Sequence, residues 1–215
     1  MAVDQRDRRT YYIRKLGNDC WMLTNLAYAG AGNNTYNDTK SLSNGTSDTA
    51  TTYTEAKYYI PPGANPTTDP TEPSTSTNGT GQYGYLYNWC AAMGGQNTAA
   101  CAEATTPAPI PTTNICPAGW RLPTVSPTNE FTALNTAING GSTSSDAGLL
   151  TNGLFQRSGR WYNSFISQGS NGNYWSSRQH SAITPQHLYF YSTYVSSTSN
   201  GLSKNHGLAV RCVAE

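Results

Sequence analysis

Residues 172–215 read GNYWSSRQHSAITPQHLYFYSTYVSSTSNGLSKNHGLAVRCVAE, and this terminal stretch decides the fold. It opens on an aromatic pair, Tyr174-Trp175, and closes on Val210-Arg211-Cys212-Val213, a cysteine in apolar flanks. Within it Leu188 and Phe190 stand two apart, the period of a strand whose alternate side chains meet a core. Tyr189 and Tyr191 then face the other way, beside Tyr194 just past the strand end. No Asp or Glu occurs between Ala147 and Ala214. Outward Tyr and His on a carboxylate-free strand make a contact surface of aromatic anchors and adaptable polar groups.

Upstream, core-like blocks alternate with polar tracts. In residues 8–28, RRTYYIRKLGNDCWMLTNLAY, Thr10, Tyr12, Arg14 and Leu16 alternate with Tyr11, Ile13 and Lys15. That period of two, followed by Gly17-Asn18-Asp19, predicts a hairpin, with Cys20, Trp21, Met22 and Leu26 supplying core. In YGYLYNWCAAM, residues 83–93, Tyr83, Tyr85, Tyr87 and Trp89 alternate with Gly84, Leu86 and Asn88, which fits a strand entering a helix. The clearest helix lies within 115–139. Ser126 is placed as N-cap and Pro127 at the first helical position, Phe131, Leu134 and Ile138 recur at helical spacing, and Gly140-Gly141 end it. Leu149, Leu150, Leu154 and Phe155 form an apolar cluster beyond it, and GRWYNSFISQG and GNYWSS read as short strands between glycine turns. Residues 29–82 differ: they carry few large aliphatics and repeated Pro, Gly, Asn and Thr. They read as an insertion within one domain spanning 1–215, because they cannot bury a core of their own. Short strands, one or two helices and long irregular loops predict an α+β domain with a small sheet.

Composition narrows the function classes. A net charge of +1 supplies no basic field, which argues against sequence-independent nucleic-acid binding. No apolar run is long enough to span a membrane. MAVDQRDRRT lacks the apolar centre of a signal peptide, so an export signal or anchor is expected outside this chain. Fifteen Tyr against four Phe is a surface-aromatic bias. The five cysteines, in a chain rich in Thr and Asn, point to an oxidising compartment. Cys90 and Cys101 close a short loop as a local disulfide, and Cys116 and Cys212 can then pair over a long range. Cys20 is left over, either as a buried free thiol or with a partner upstream. Zinc is disfavoured, since no Cys or His pair has ligand spacing, and no cofactor is expected.

The ordered blocks NDCWMLTNLAY, YGYLYNWCAAM, ICPAGWRLPT, YWSS, LYF and LAVRCV resemble the Fibrobacter-type major paralogous domain, a bacterial surface module. The resemblance spans about residues 8–28 and 83–215 and implies a C-type-lectin-like fold with a small, twisted antiparallel sheet. The segment RQHSAITPQHLYFYSTYVSSTSNGLSKNH also resembles the variable proteins of diversity-generating retroelements, in which such a fold ends in a stretch rewritten by adenine-directed mutagenesis. That likeness makes Trp175, Leu188, Phe190, Val195, Val210 and Cys212 scaffold within the segment 172–215. It makes Gln179, His180, Ile183, Gln186, His187, Tyr191, Tyr194, Asn200, Asn205 and His206 displayed, variable contacts. The implied partner is a protein or other cell-surface ligand, and the implied location extracellular or at the cell surface.

Other classes have to be weighed against that binder. Calcium-dependent sugar binding needs several oxygen ligands with carboxylates among them, and the terminal half has no EPN- or WND-type motif. The fold is shared with formylglycine-generating enzymes, yet no nucleophile elbow, paired carboxylate or reactive cysteine pair is legible, so no enzyme activity is expected. His180, His187 and His206 lack a nearby acidic orienter and read as loop or display residues rather than metal ligands. A cell-envelope structural or adhesion module of the same fold is the second reading, because small sheets use Tyr freely on half-exposed faces.

Overall fold

A computed structural model describes residues 1–30, 42–46, 55–62, 83–94, 101, 114–151 and 154–215. In chain order, β1 (Ala2–Val3) pairs with β2 (Thr10–Tyr11), and β3 (Ile13–Leu16) turns through Gly17-Asn18 into β4 (Asp19–Met22). β5 (Ser43–Asn44) and β6 (Lys57–Tyr59) follow, then β7 (Leu86–Tyr87), which leads into the short helix α1 (Trp89–Ala92). β8 (Trp120–Arg121) precedes α2 (Glu130–Asn139) and α3 (Ala147–Leu150). β9 (Arg160–Trp161) and β10 (Phe165–Ile166) make a hairpin. β11 (Gly172–Gln179), β12 (Pro185–Tyr191) and β13 (Tyr194–Ser199) form a meander ahead of β14 (Leu208–Ala209) and β15 (Val213–Ala214).

The larger sheet has seven strands in the order β13-β12-β11-β14-β7-β6-β5, and a second has four, β3-β4-β15-β8. This is an α+β architecture. The larger sheet is mixed rather than purely antiparallel: Tyr174 of β11 pairs with Ala209 of β14 in parallel, as does Ser43 of β5 with Lys57 of β6. β14 reaches the sheet only after the long 200–207 connection, which lets it enter running the same way as β11.

Two departures from the sequence reading have local causes. Part of the tract 29–82 belongs to the main sheet: β5 and β6 extend its edge, and Tyr59 is buried with its ring stacked 3.9 Å from that of Trp161. The apolar residues concentrated in AKYYI, residues 56–60, suffice to dock an edge, although the tract as a whole is too polar for a separate core. Helix α2 begins three residues later than predicted. Its N-cap is Asn129, whose amide oxygen accepts from the Thr132 N–H at 2.9 Å, while Ser126 and Pro127, joined by a cis peptide, lie ahead of it. Gly140 ends the helix as expected, in the left-handed region at φ 60°.

The interior divides into two packed clusters. Trp21, Leu86, Phe131, Leu134, Phe155, Trp161, Tyr174, Leu188, Phe190 and Val195 form one. The other gathers Tyr11, Met22, Leu26, Tyr87, Trp89, Trp175, Val210 and the cystine sulfurs. Strand β11 separates them, since Tyr174 faces the first and Trp175 the second. Both predicted disulfides form, Cys90–Cys101 with Cα atoms 4.5 Å apart and Cys116–Cys212 at 5.9 Å, and Cys20 is a half-buried free thiol. Among the described residues no helix is long and apolar enough to cross a membrane.

Candidate functional site

The meander β11–β12–β13 positions the terminal side chains. Leu188 and Phe190 point into the core, and Gly172, opposite Phe190, leaves room for that ring, with which a Cβ would collide. A two-residue turn, Ser192-Thr193, brings Tyr191 opposite Tyr194. The tyrosines on the other face then close on one another. Ring centroids lie 5.7 Å apart for Tyr189–Tyr191, 5.5 Å for Tyr191–Tyr194 and 6.0 Å for Tyr189–Tyr194. Such tilted and offset contacts hold aromatic rings without a covering layer. Tyr194 is 41% exposed, Tyr189 and Tyr191 half-buried. The Tyr189 oxygen accepts a 3.2 Å hydrogen bond from Asn171, and burial together with Tyr191 raises its pKa, so the phenol stays protonated at neutral pH. A groove of about 370 Å³ between α2 and β13 adjoins this patch, lined with hydroxyls from Thr132, Thr136, Thr143 and Ser196.

The ten residues expected on display do not form one surface. His180, Ile183 and Asn200 are exposed and Gln186 is half-buried, and all lie near the end of β12 where Pro185 enters. Tyr191 and Tyr194 lie at the opposite end, roughly 20 Å away at the rise of an extended strand. Three of the ten are buried rather than displayed: Gln179, His187 and Asn205. Strand parity does turn His187 toward the same face as Tyr189, but residues 200–206 fold over that end. The Lys204 N–H there donates to the Ile183 carbonyl at 2.8 Å, and the His187 ring meets Trp175 edge-on at 5.8 Å. His206 is half-buried and stacks on Tyr162 at 4.4 Å.

Burial first, and the nearby Arg160 charge in smaller part, depress both of these imidazoles, His187 to about 3 and His206 to about 4. Both are therefore neutral in the folded protein at pH 7. An unfolded-state histidine titrates near 6.5, so between that value and about 4 the unfolded chain binds more protons than the folded one. Stability is thus expected to fall as pH drops through this window. Thermal unfolding of the H187Q variant should show a smaller loss between pH 7 and pH 4.5 than the parent. Identical slopes would mean that His187 is not held neutral by burial.

Sequence reasoning missed residues outside the terminal segment that border it, namely Asn171, bonded to Tyr189, Tyr162, stacked on His206, and Arg160. They come from β9, the turn after it and the residue just before β11, and no periodicity marks them as neighbours of β12. Among the described residues no three His, Cys, Asp or Glu side chains group as a metal would require.

Two disulfides, an α+β layout and a mixed seven-stranded sheet define a disulfide-bonded module of the kind made in oxidising compartments. The chain belongs to the Fibrobacter succinogenes major domain family, whose model matches residues 15–153. No match was found among curated proteins or among solved structures.

Proposed function

We propose that this chain is an extracellular or cell-surface ligand-binding domain of C-type-lectin-like fold. In this reading its terminal segment presents contact residues diversified by a retroelement, and its partner is a protein or other cell-surface ligand. One observation carries it: from Leu188 to Val195, alternate residues of β12–β13 separate into a locked core and an outward aromatic patch. Leu188, Phe190 and Val195 are buried, while Tyr189, Tyr191 and Tyr194 pack against one another on the outer face, with the Tyr189 ring also meeting that of His187 at 6.5 Å. Residues on such a face can change without disturbing the packing beneath, as a binding surface under diversification requires.

Sequencing the locus across a population of source cells tests this. Changes should concentrate at His180, Ile183, Gln186, Tyr191, Tyr194, Asn200 and His206, with Trp175, Leu188, Phe190 and Cys212 constant. Uniform low variation along the chain would remove diversification. It would leave the second reading, a cell-envelope structural or adhesion module. That reading draws on the Asn171–Tyr189 bond, which gives one tyrosine a structural tie.

A further inference from the structure

We infer that the corner between Arg160 and Tyr189 receives a carboxylate from an acidic peptide segment of the bound partner. This deepens the binding-surface reading above and rests on it.

Arg160 occupies β9 beside Trp161, whose ring is buried against Tyr59. Strand alternation therefore sends the Arg160 side chain the opposite way, toward the outer face of β11–β12. The backbone on either side is pinned there. The Gly159 N–H donates to the Asn171 carbonyl at 2.7 Å, and the Trp161 N–H to the Gly207 carbonyl at 2.8 Å. Asn171 in turn holds the Tyr189 oxygen, and His206 immediately precedes Gly207 in the chain. The Gly159 carbonyl also accepts from Asn173 Nδ2 at 3.2 Å, and Asn173 stands opposite Tyr189 in the β11–β12 pairing, so the next residue, Arg160, lies at the inner edge of the tyrosine patch.

The charge of Arg160 has no counter-ion among the described residues. Arg6, Arg9, Arg121 and Arg157 each pair with a carboxylate: Asp4, Asp7, Glu130 and Asp146 respectively. Arg160 makes no such pair, and its buried Nε has no hydrogen-bond partner. No Asp or Glu occurs in sequence from Ala147 to Ala214. The Nε itself is shielded from solvent, but the half-buried side chain keeps a solvent-facing side without a counter-ion, and a carboxylate is the group that best matches a guanidinium fork there. Tyr189 adds a second donor, because its oxygen already accepts from Asn171 and its O–H remains to donate.

The rest of the surface indicates a protein segment rather than a small acid. The tyrosines form an open face, not an enclosed cavity, and a small carboxylate would bury little area on it. A peptide with an acidic side chain in apolar flanks would place the charge on Arg160 and its neighbours across Tyr191 and Tyr194.

The test is selection of a displayed random-peptide library on the immobilised, disulfide-intact protein. Selected peptides should be enriched in Asp or Glu. Changing that acid to its amide, on the unaltered protein, should weaken binding by about tenfold or more. R160Q, checked for an unchanged melting temperature, should do the same, and R160K should retain part of the affinity. Peptides that require Tyr191 and Tyr194 but tolerate both R160Q and the acid-to-amide change would overturn this inference while leaving the binding face intact. Recovery of no peptide sensitive to Y191S/Y194S or R160Q would overturn both.

Discussion

Replacing Cys116 and Cys212 together by alanine is expected to lower the unfolding free energy by roughly 4 kcal/mol. The bond closes a sequence separation of 96 residues, against 11 for Cys90–Cys101. In the chain-entropy treatment those loops correspond to about 4.7 and about 2.8 kcal/mol, so the longer link should dominate. Its position sharpens the expectation. Cys116 lies just before β8 and Cys212 just before β15, and Val213 of β15 pairs with both Trp21 and Arg121. Each of those pairings rests on strands only two to four residues long, too short to hold a register by themselves. Urea unfolding of C116A/C212A beside C90A/C101A measures the comparison. A loss below about 1 kcal/mol for the first pair would show that the four-stranded sheet holds its C-terminal strand without the link.

Local pattern made the hairpin β3–β4 legible, because Tyr11, Ile13 and Lys15 alternate up to a glycine turn. It also gave the inward Leu188 and Phe190 and the outward tyrosines. The larger sheet was not legible as a mixed one, since its central pairing joins Tyr174 to a two-residue strand across a polar connection. Strands of two residues carry no period. Parity also tells which way a side chain turns but not what later covers it. His187 shares its parity with Tyr189 and Tyr191, yet the returning segment 200–206 buries the first and leaves the others open. Arg160 was hidden for the same reason: its neighbours in space lie 27 to 46 residues further along the chain. The start of α2 shows competition between two good caps. Ser126-Pro127 has the composition of a helix entry, but Asn129 caps, and Glu130 is drawn instead to Arg121 at 2.8 Å and to the Thr124 N–H at 2.6 Å. Burial alone would raise the Glu130 carboxyl, but those partners hold it below its usual range.

Substituting methionine for Arg211 should cost stability on a similar scale, about 3 to 5 kcal/mol. The sequence places this arginine between Val210 and Cys212, and the structure buries it completely. Its Nε donates to Asn25 Oδ1 at 2.8 Å, and its Nη1 to the Met22 carbonyl at 3.3 Å and to the Leu154 carbonyl. The guanidinium also lies over the Phe155 ring, 4.5 Å from its centroid. One side chain thereby joins the end of β4, the loop after it and the segment following α3. Asn25 passes the connection on, donating to the Tyr83 carbonyl at 2.8 Å. No carboxylate among the described residues balances the charge, and burial lowers its pKa to about 10. That penalty raises the opposite possibility, since an apolar side chain of similar size can replace a buried ion at no loss. Here the partners decide the sign. Two carbonyls and an amide oxygen would stay behind, buried without a donor, each at a cost of about 1 to 3 kcal/mol. R211K should fall between the two, because a single ammonium cannot reach acceptors spread around a planar fork. Equilibrium unfolding of R211M and R211K gives the order directly. If R211M is as stable as the parent, desolvation of the guanidinium outweighs its three hydrogen bonds, and the link from β4 to the loop after α3 is held by packing alone.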